Sequence, residues 1–232
     1  MARPFAVVQA VALAVVAGLD AFLLYGATVA HPVGLREAVE RFRAGPGAGP
    51  GDGVYLYDTT GYERVDRLGV RRDYPRVSAR ILRNAGACGA REEVVLFREH
   101  TETYTSCHGV PTGFGTRLTY FFVPSVTALS CDARGACRDA AHDVSATLDV
   151  VDSGPGTAVV GGVPLPCRRV VVTTVLTGSN AGGARRDLCV RPDGLVLTER
   201  RSVGVVARSA FVGRVAYSEE ATFTLRSTVP VR

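Results

Sequence analysis

The chain has 232 residues, 47% of them hydrophobic and 21% charged, which excludes a disordered or collagen-like chain and fits one domain with a short tail. All 27 basic residues are Arg, Lys and Trp are absent, Val occurs 36 times and Ile81 is the only Ile. A net charge of +5 in so biased a composition is no nucleic-acid footprint by itself, and the missing Lys excludes phosphate-cradling loops that depend on it.

Residues 4–30, PFAVVQAVALAVVAGLDAFLLYGATVA, follow Arg3 and are long enough to cross a bilayer as a helix. Two readings stay open. One is an uncleaved transmembrane signal anchor over 1–31; the other is a signal peptide cleaved near Ala30, giving a secreted protein. The length of the apolar run favours the anchor. Asp20 is costly in hydrocarbon unless it is paired or lies off-centre, and a polar partner helix is one use for it.

Residues 32–53 divide in two. Leu35, Ala38, Val39 and Phe42 form one apolar stripe of a short helix, and Glu37 and Arg41 are a favourable i, i+4 pair. This helix is either a juxtamembrane stalk or packs on the domain. GPGAGPGDG, residues 45–53, is a Gly/Pro linker.

From Val54 to Arg232 the pattern has period two. Expected strands are Val54–Tyr57, ended by Asp58-Thr59-Thr60-Gly61, then 76–83, 93–99, 101–107, the aromatic run 118–123, 144–151, 170–176, 195–199 and 211–225. Gly178–Gly183 reads as a turn. No long helical stripe interrupts them, so the fold class is mainly β: an antiparallel curved sheet or half-barrel, with a β-sandwich as alternative.

All six cysteines, Cys88, Cys107, Cys131, Cys137, Cys167 and Cys189, follow the apolar segment. An even set after an export signal indicates disulfides in an oxidising compartment, which places the β domain outside the cytoplasm. Fifteen pairings are open; spacing favours the sequential pairs 88–107, 131–137 and 167–189. Cys131, Cys137 and His142 lack the tight spacing of a structural zinc site, so no metal or other cofactor is expected.

Catalytic templates are missing, and no catalytic residue is assigned. His100 falls at an expected strand end or turn and His108 at a turn, both on the surface, and His142-Asp143 has no nucleophile at a meaningful spacing. Glu92-Glu93 and Glu219-Glu220 are neighbours on strands, so each pair points to opposite faces. The Arg doublets 71–72, 168–169, 185–186 and 200–201 are diluted by acidic neighbours and read as solvated surface, with weak attraction to anionic lipid headgroups or acidic wall polymers as the alternative, rather than as a nucleic-acid site. The candidate lining of an apolar ligand site is Phe97, Tyr120, Phe121, Phe122, Leu148 and Phe223.

The phrases VYLYDTTGYERVDRLGVRRDYP (54–75), Cys88-Gly89, PDGLVLTER (192–200) and GRVAYSEEATFTLRSTVP (213–230) together resemble single-span exported proteins of unknown function from high-GC bacteria. More loosely, the D-G-L turn followed by long strands is similar to the bacterial lipoprotein-carrier fold (LolA/LppX-like), which implies a sheet sheltering acyl chains. The expected partners are the membrane, through the N-terminal helix, and a lipid or envelope protein. The expected function is a membrane-anchored extracytoplasmic domain binding a lipid or other apolar envelope ligand; the alternatives are a structural interaction module of the envelope and, last, an enzyme.

Overall fold

The computed structural model describes residues 29–45, 49, 51–66, 69–85, 89–107, 110–120, 123–209 and 213–232. The expected membrane helix falls almost wholly outside them. Among the described residues no helix is long and apolar enough to cross a membrane.

Helix α1, Leu35–Ala44, forms where the apolar stripe predicts it, with Arg41 Nη2 donating to Glu37 Oε1 at 3.1 Å. Its buried residues are Ala38, Val39 and Phe42, whereas Leu35 is 39% exposed. They pack with Val33 on Val54, Ala79, Ile81 and Val95, which lie on three neighbouring strands. The helix is therefore fastened to the sheet and is not a free stalk. The described end of the expected linker is tied down as well. Asp52 is buried, and its carboxylate accepts from the Gly49 and Asn84 backbone N–H groups and from the Asn84 side chain.

Among the described residues thirteen strands follow: β1 Gly53–Val65, β2 Val70–Asp73, β3 Val77–Ala85, β4 Gly89–Phe97, β5 His100–Cys107, β6 Val110–Tyr120, β7 Val123–Cys131, β8 Ala136–Asp139, β9 Val144–Val160, β10 Val163–Gly178, β11 Asn180–Val190, β12 Val196–Ser209 and β13 Gly213–Leu225. From β3 onward each strand pairs antiparallel with the next. β1 pairs along one edge with β3 and then β2, and along the other with β13 from Tyr57↔Leu225 to Val65↔Tyr217. The mainly β, antiparallel expectation holds. The sheet does not stay open, however: β1 joins both ends and closes a barrel, which leaves no free edge there.

Three local expectations change. β1 runs straight through Asp58–Gly61. Gly61 sits at φ +142°, and a Cβ there would lie 2.2 Å from the Glu220 carbonyl oxygen, so Gly permits the close β1–β13 approach. The run 118–123 is not one strand: Tyr120 ends β6, Val123 begins β7, and the two residues pair with each other. Most of the expected Gly178–Gly183 turn is instead the start of β11.

Period two sorts side chains onto two faces. The outer face of β1, β3 and β4 takes α1. The opposite face carries Tyr57, Leu96, Leu197, Phe223 and Leu225, all at most 1% exposed. A smaller cluster of Leu129, Cys137, Val144 and Ala146 packs β7, β8 and β9. Disulfides Cys131–Cys137 and Cys167–Cys189 staple β7 to β8 and β10 to β11. Cys107 is disulfide-bonded too, and Cys88 lies outside the described residues.

Candidate functional site

The inner face also carries charge. In β3, Val77, Ala79 and Ile81 alternate with Ser78 and Arg80; α1 covers Ala79 and Ile81, so Arg80 points inward and is 1% exposed. The same alternation splits the Arg doublets. Arg72, Arg186 and Arg201 turn inward, and Arg71, Arg185 and Arg200 turn out. The reading of the doublets as wholly solvated surface is thus corrected for three of their eight members, while Arg168 and Arg169 both stay exposed. Glu63, Glu199 and Glu219 are buried at 0–1% exposure, and Glu102 at 5%.

These groups bridge the barrel. Arg80 Nη1 donates to Glu92 Oε1 at 2.8 Å and Nη2 to Glu199 Oε2 at 2.7 Å. Arg186 Nε donates to Glu199 Oε1 at 2.6 Å, and its guanidinium stacks 3.8 Å over the Tyr104 ring. Arg201 donates to Glu102 and places Nε 2.5 Å from Glu219 Oε1. Arg72 Nη1 lies 3.3 Å from Glu63 Oε1 and donates to the Thr119 carbonyl at 3.2 Å. His100, 2% exposed, sets Nδ1 2.5 Å from Glu63 Oε2 and Nε2 3.4 Å from Glu102 Oε1.

Burial opposes charge on His100, but Glu63 and Glu102 outweigh it and push its pKa up to about 10. The ring is therefore an imidazolium at neutral pH. Glu102 and Glu199 are likewise driven toward protonation by burial, and the facing arginines and His100 reverse this and hold both well below the usual carboxylate range. Glu219 is pushed upward, because burial and the nearby Glu102 and Glu63 charges outweigh Arg201 and His100. Five basic groups (Arg72, Arg80, His100, Arg186, Arg201) meet five acidic ones (Glu63, Glu92, Glu102, Glu199, Glu219). Near-neutrality of the set offsets the desolvation cost that isolated charges would carry.

His100, Glu102 and Glu219 place one donor atom each within 4.8 Å of one another. Arg201 lies against both carboxylates and Glu63 against the imidazole, so these donors serve internal ion pairs. Their arrangement fits a cross-brace better than a cation site.

Two spaces adjoin the network. One is a cavity of about 80 Å³ between Tyr55, Tyr57, Arg80, Leu82, Glu92, Tyr104 and Leu195. The other is an open groove of about 490 Å³ lined by Ser153, Thr157, Arg169, Asp187, Thr198, Arg200, Thr222 and Thr224, with Cys189 beside them.

Of the residues expected to line an apolar site, Phe97 and Phe223 share the main core cluster, whereas Leu148 lies in a separate one. Phe97 packs in the core against Tyr74, with ring centroids 5.8 Å apart. Phe223 is fully buried between the Arg80 and Arg201 guanidiniums, 4.6 and 4.8 Å from its centroid. Leu148 belongs to the separate cluster around Leu129. Tyr120 closes β6, and Phe121 and Phe122 lie outside the described residues. His142 meets Asp139, whose Oδ2 is 3.2 Å from its Nδ1, and not a nucleophile. His100 stands at a strand end, as expected, but it is buried inside the barrel rather than on the surface.

No protein-family model, no curated protein and no solved structure matches this chain.

Proposed function

We propose that this chain is an extracytoplasmic, membrane-anchored barrel that serves as a structural or protein-interaction module of the cell envelope. One observation carries the reading: the interior is filled by the protein's own ion pairs and aromatic rings. Among the described residues, the cavity of about 80 Å³ beside these ion pairs is small against the roughly 300–1,000 Å³ of typical ligand pockets. An acyl chain has no apolar tunnel among the described residues. The disulfides agree with an oxidising compartment. The outer groove, with its hydroxyl-bearing wall and exposed Arg200, offers the larger recognition surface.

Native mass spectrometry of the detergent-extracted full chain tests this reading. The expected result is the mass of the polypeptide with three disulfides and no bound acyl species. A stoichiometric lipid that survives extraction would replace it with the apolar-carrier reading. Photo-crosslinking in intact cells from Thr222, inside the groove, should trap a discrete envelope protein, whereas Ala133, on a distant turn, should not.

A further inference from the structure

The chain enters the barrel with no slack. The His31 carbonyl accepts from Arg98 N–H at 2.9 Å, and its own N–H donates to Glu99 Oε2 at 2.9 Å. Its ring Nδ1 lies 2.6 Å from Glu99 Oε1, Pro32 forms a β-bridge with Phe97, and Val33 N–H donates to the Leu96 carbonyl at 3.4 Å. The apolar run ends at Ala30, so it stops directly at the β4–β5 turn.

That turn shares one end of the barrel with the β12–β13 hairpin. His100 faces Glu63, Glu63 is opposite Glu219, and β13 continues past Glu219 toward that end to Arg214, about 16 Å further at the usual strand rise. Arg214 is directly opposite Arg208 in the register, and both are exposed. Neither side chain has an ion partner among the described residues. Like charges set directly opposite each other are unfavourable on a sheet unless an anion neutralises them. Arg117, exposed on β6 one residue from Leu118, which pairs with His100, adds a third cation at this end.

We infer that this end of the barrel rests on the membrane surface, with Arg208 and Arg214 seated on anionic lipid headgroups. The inference builds on the reading of residues 4–30 as a membrane anchor. If they are one, the contacts at His31 hold the β4–β5 end of the barrel toward the bilayer, and β12 and β13, which extend past that turn toward the same end, carry Arg208 and Arg214 to its anionic headgroups. The opposite end, with the Cys131–Cys137 turn, then points away from the membrane.

The absence of Trp allows a direct test. The full chain is reconstituted in phosphatidylcholine–phosphatidylglycerol vesicles with brominated acyl chains, carrying one Trp at a time. Ala181→Trp places it at the start of β11, near Val206 and Arg208; Ala133→Trp places it at the opposite end. Quenching of the Ala181→Trp variant alone is expected, falling when Arg208 and Arg214 are both changed to Ala or when phosphatidylglycerol is omitted. A protein that resists alkaline carbonate extraction but shows no quenching in the Ala181→Trp variant, or equal quenching in both variants, keeps the anchor and overturns the proposal. Quenching indifferent to the Arg changes and to lipid charge also overturns the headgroup contact. Release by carbonate overturns the anchor and the proposal together.

Discussion

His100 Nδ1 lies 2.5 Å from Glu63 Oε2, and this contact joins β5 to β1 through the barrel interior, between strands that are not hydrogen-bonded neighbours. It makes a histidine part of the internal brace, and it sets a pH dependence. His100 has a folded pKa of about 10 against about 6.5 in an unfolded chain. Between those values the folded state holds the extra proton. Its contribution is fully present below about pH 6.5 and is lost as pH rises through about 10. Melting temperature should therefore fall from pH 6.5 to pH 10, and the fall should be shallower in His100→Gln. Parallel curves for the two proteins would refute the assignment.

Asp139 acts in the opposite direction. Its carboxylate accepts from the Ala128 and Ala141 N–H groups and contacts His142, which holds its pKa at about 2 despite burial. Its contribution is present above about pH 4 and is lost as pH falls through about 2. Asp139→Asn should flatten the acid limb of a stability–pH profile and leave the alkaline limb unchanged.

Arg201 touches Glu102 and Glu219 and stacks on Phe223. Arg201→Met keeps much of the packing and leaves two buried carboxylates short of a cation. A loss of roughly 3–5 kcal/mol is expected from urea unfolding midpoints. Adding Glu102→Gln should recover part of it, because one stranded charge is removed. An additive double variant would argue against coupling.

The docking of α1 rests on Phe42, which is 5% exposed, and not on Leu35. Phe42→Ala should cost about 3–5 kcal/mol, and Leu35→Ala only about 0.5 kcal/mol or less. Equal effects in thermal unfolding would mean that the helix hangs free. Gly61→Ala should be more damaging than its size suggests, since a methyl group meets the Glu220 carbonyl; amide exchange at the β1–β13 seam would report the opening.

Alkylation of the native, unreduced protein should label no cysteine. Replacing Cys167 and Cys189 by Ser should lower stability by about 3 kcal/mol, since the bridge spans a sequence separation of 22. Labelling of native thiols would overturn the oxidising placement.

Several of these features can be read from the residue order. The stripe Leu35, Ala38, Val39, Phe42 marks α1, and period-two runs such as 144–151 and 170–176 mark strands. Other features escaped for a physical reason. A strand pattern separates two faces without saying which one meets water. Arg80 beside Ile81, and Arg201 beside Arg200, look like solvent-facing charge in one dimension. Once α1 covers the Ile81 face, Arg80 has only the interior left. A glycine such as Gly61 likewise looks like a strand end until a neighbouring backbone occupies the space that a Cβ would need.

The mainly β class, the short amphipathic helix and the even cysteine set were all legible in the residue order, because each depends on local periodicity or composition. The closure of the sheet by β1, the inward placement of His100 and four arginines, and the entry of the chain at the β4–β5 turn were not. Those outcomes depend on contacts between residues far apart in the chain, such as Glu63 with His100 and Glu102 with Arg201. Only the closed ring brings them within reach of one another.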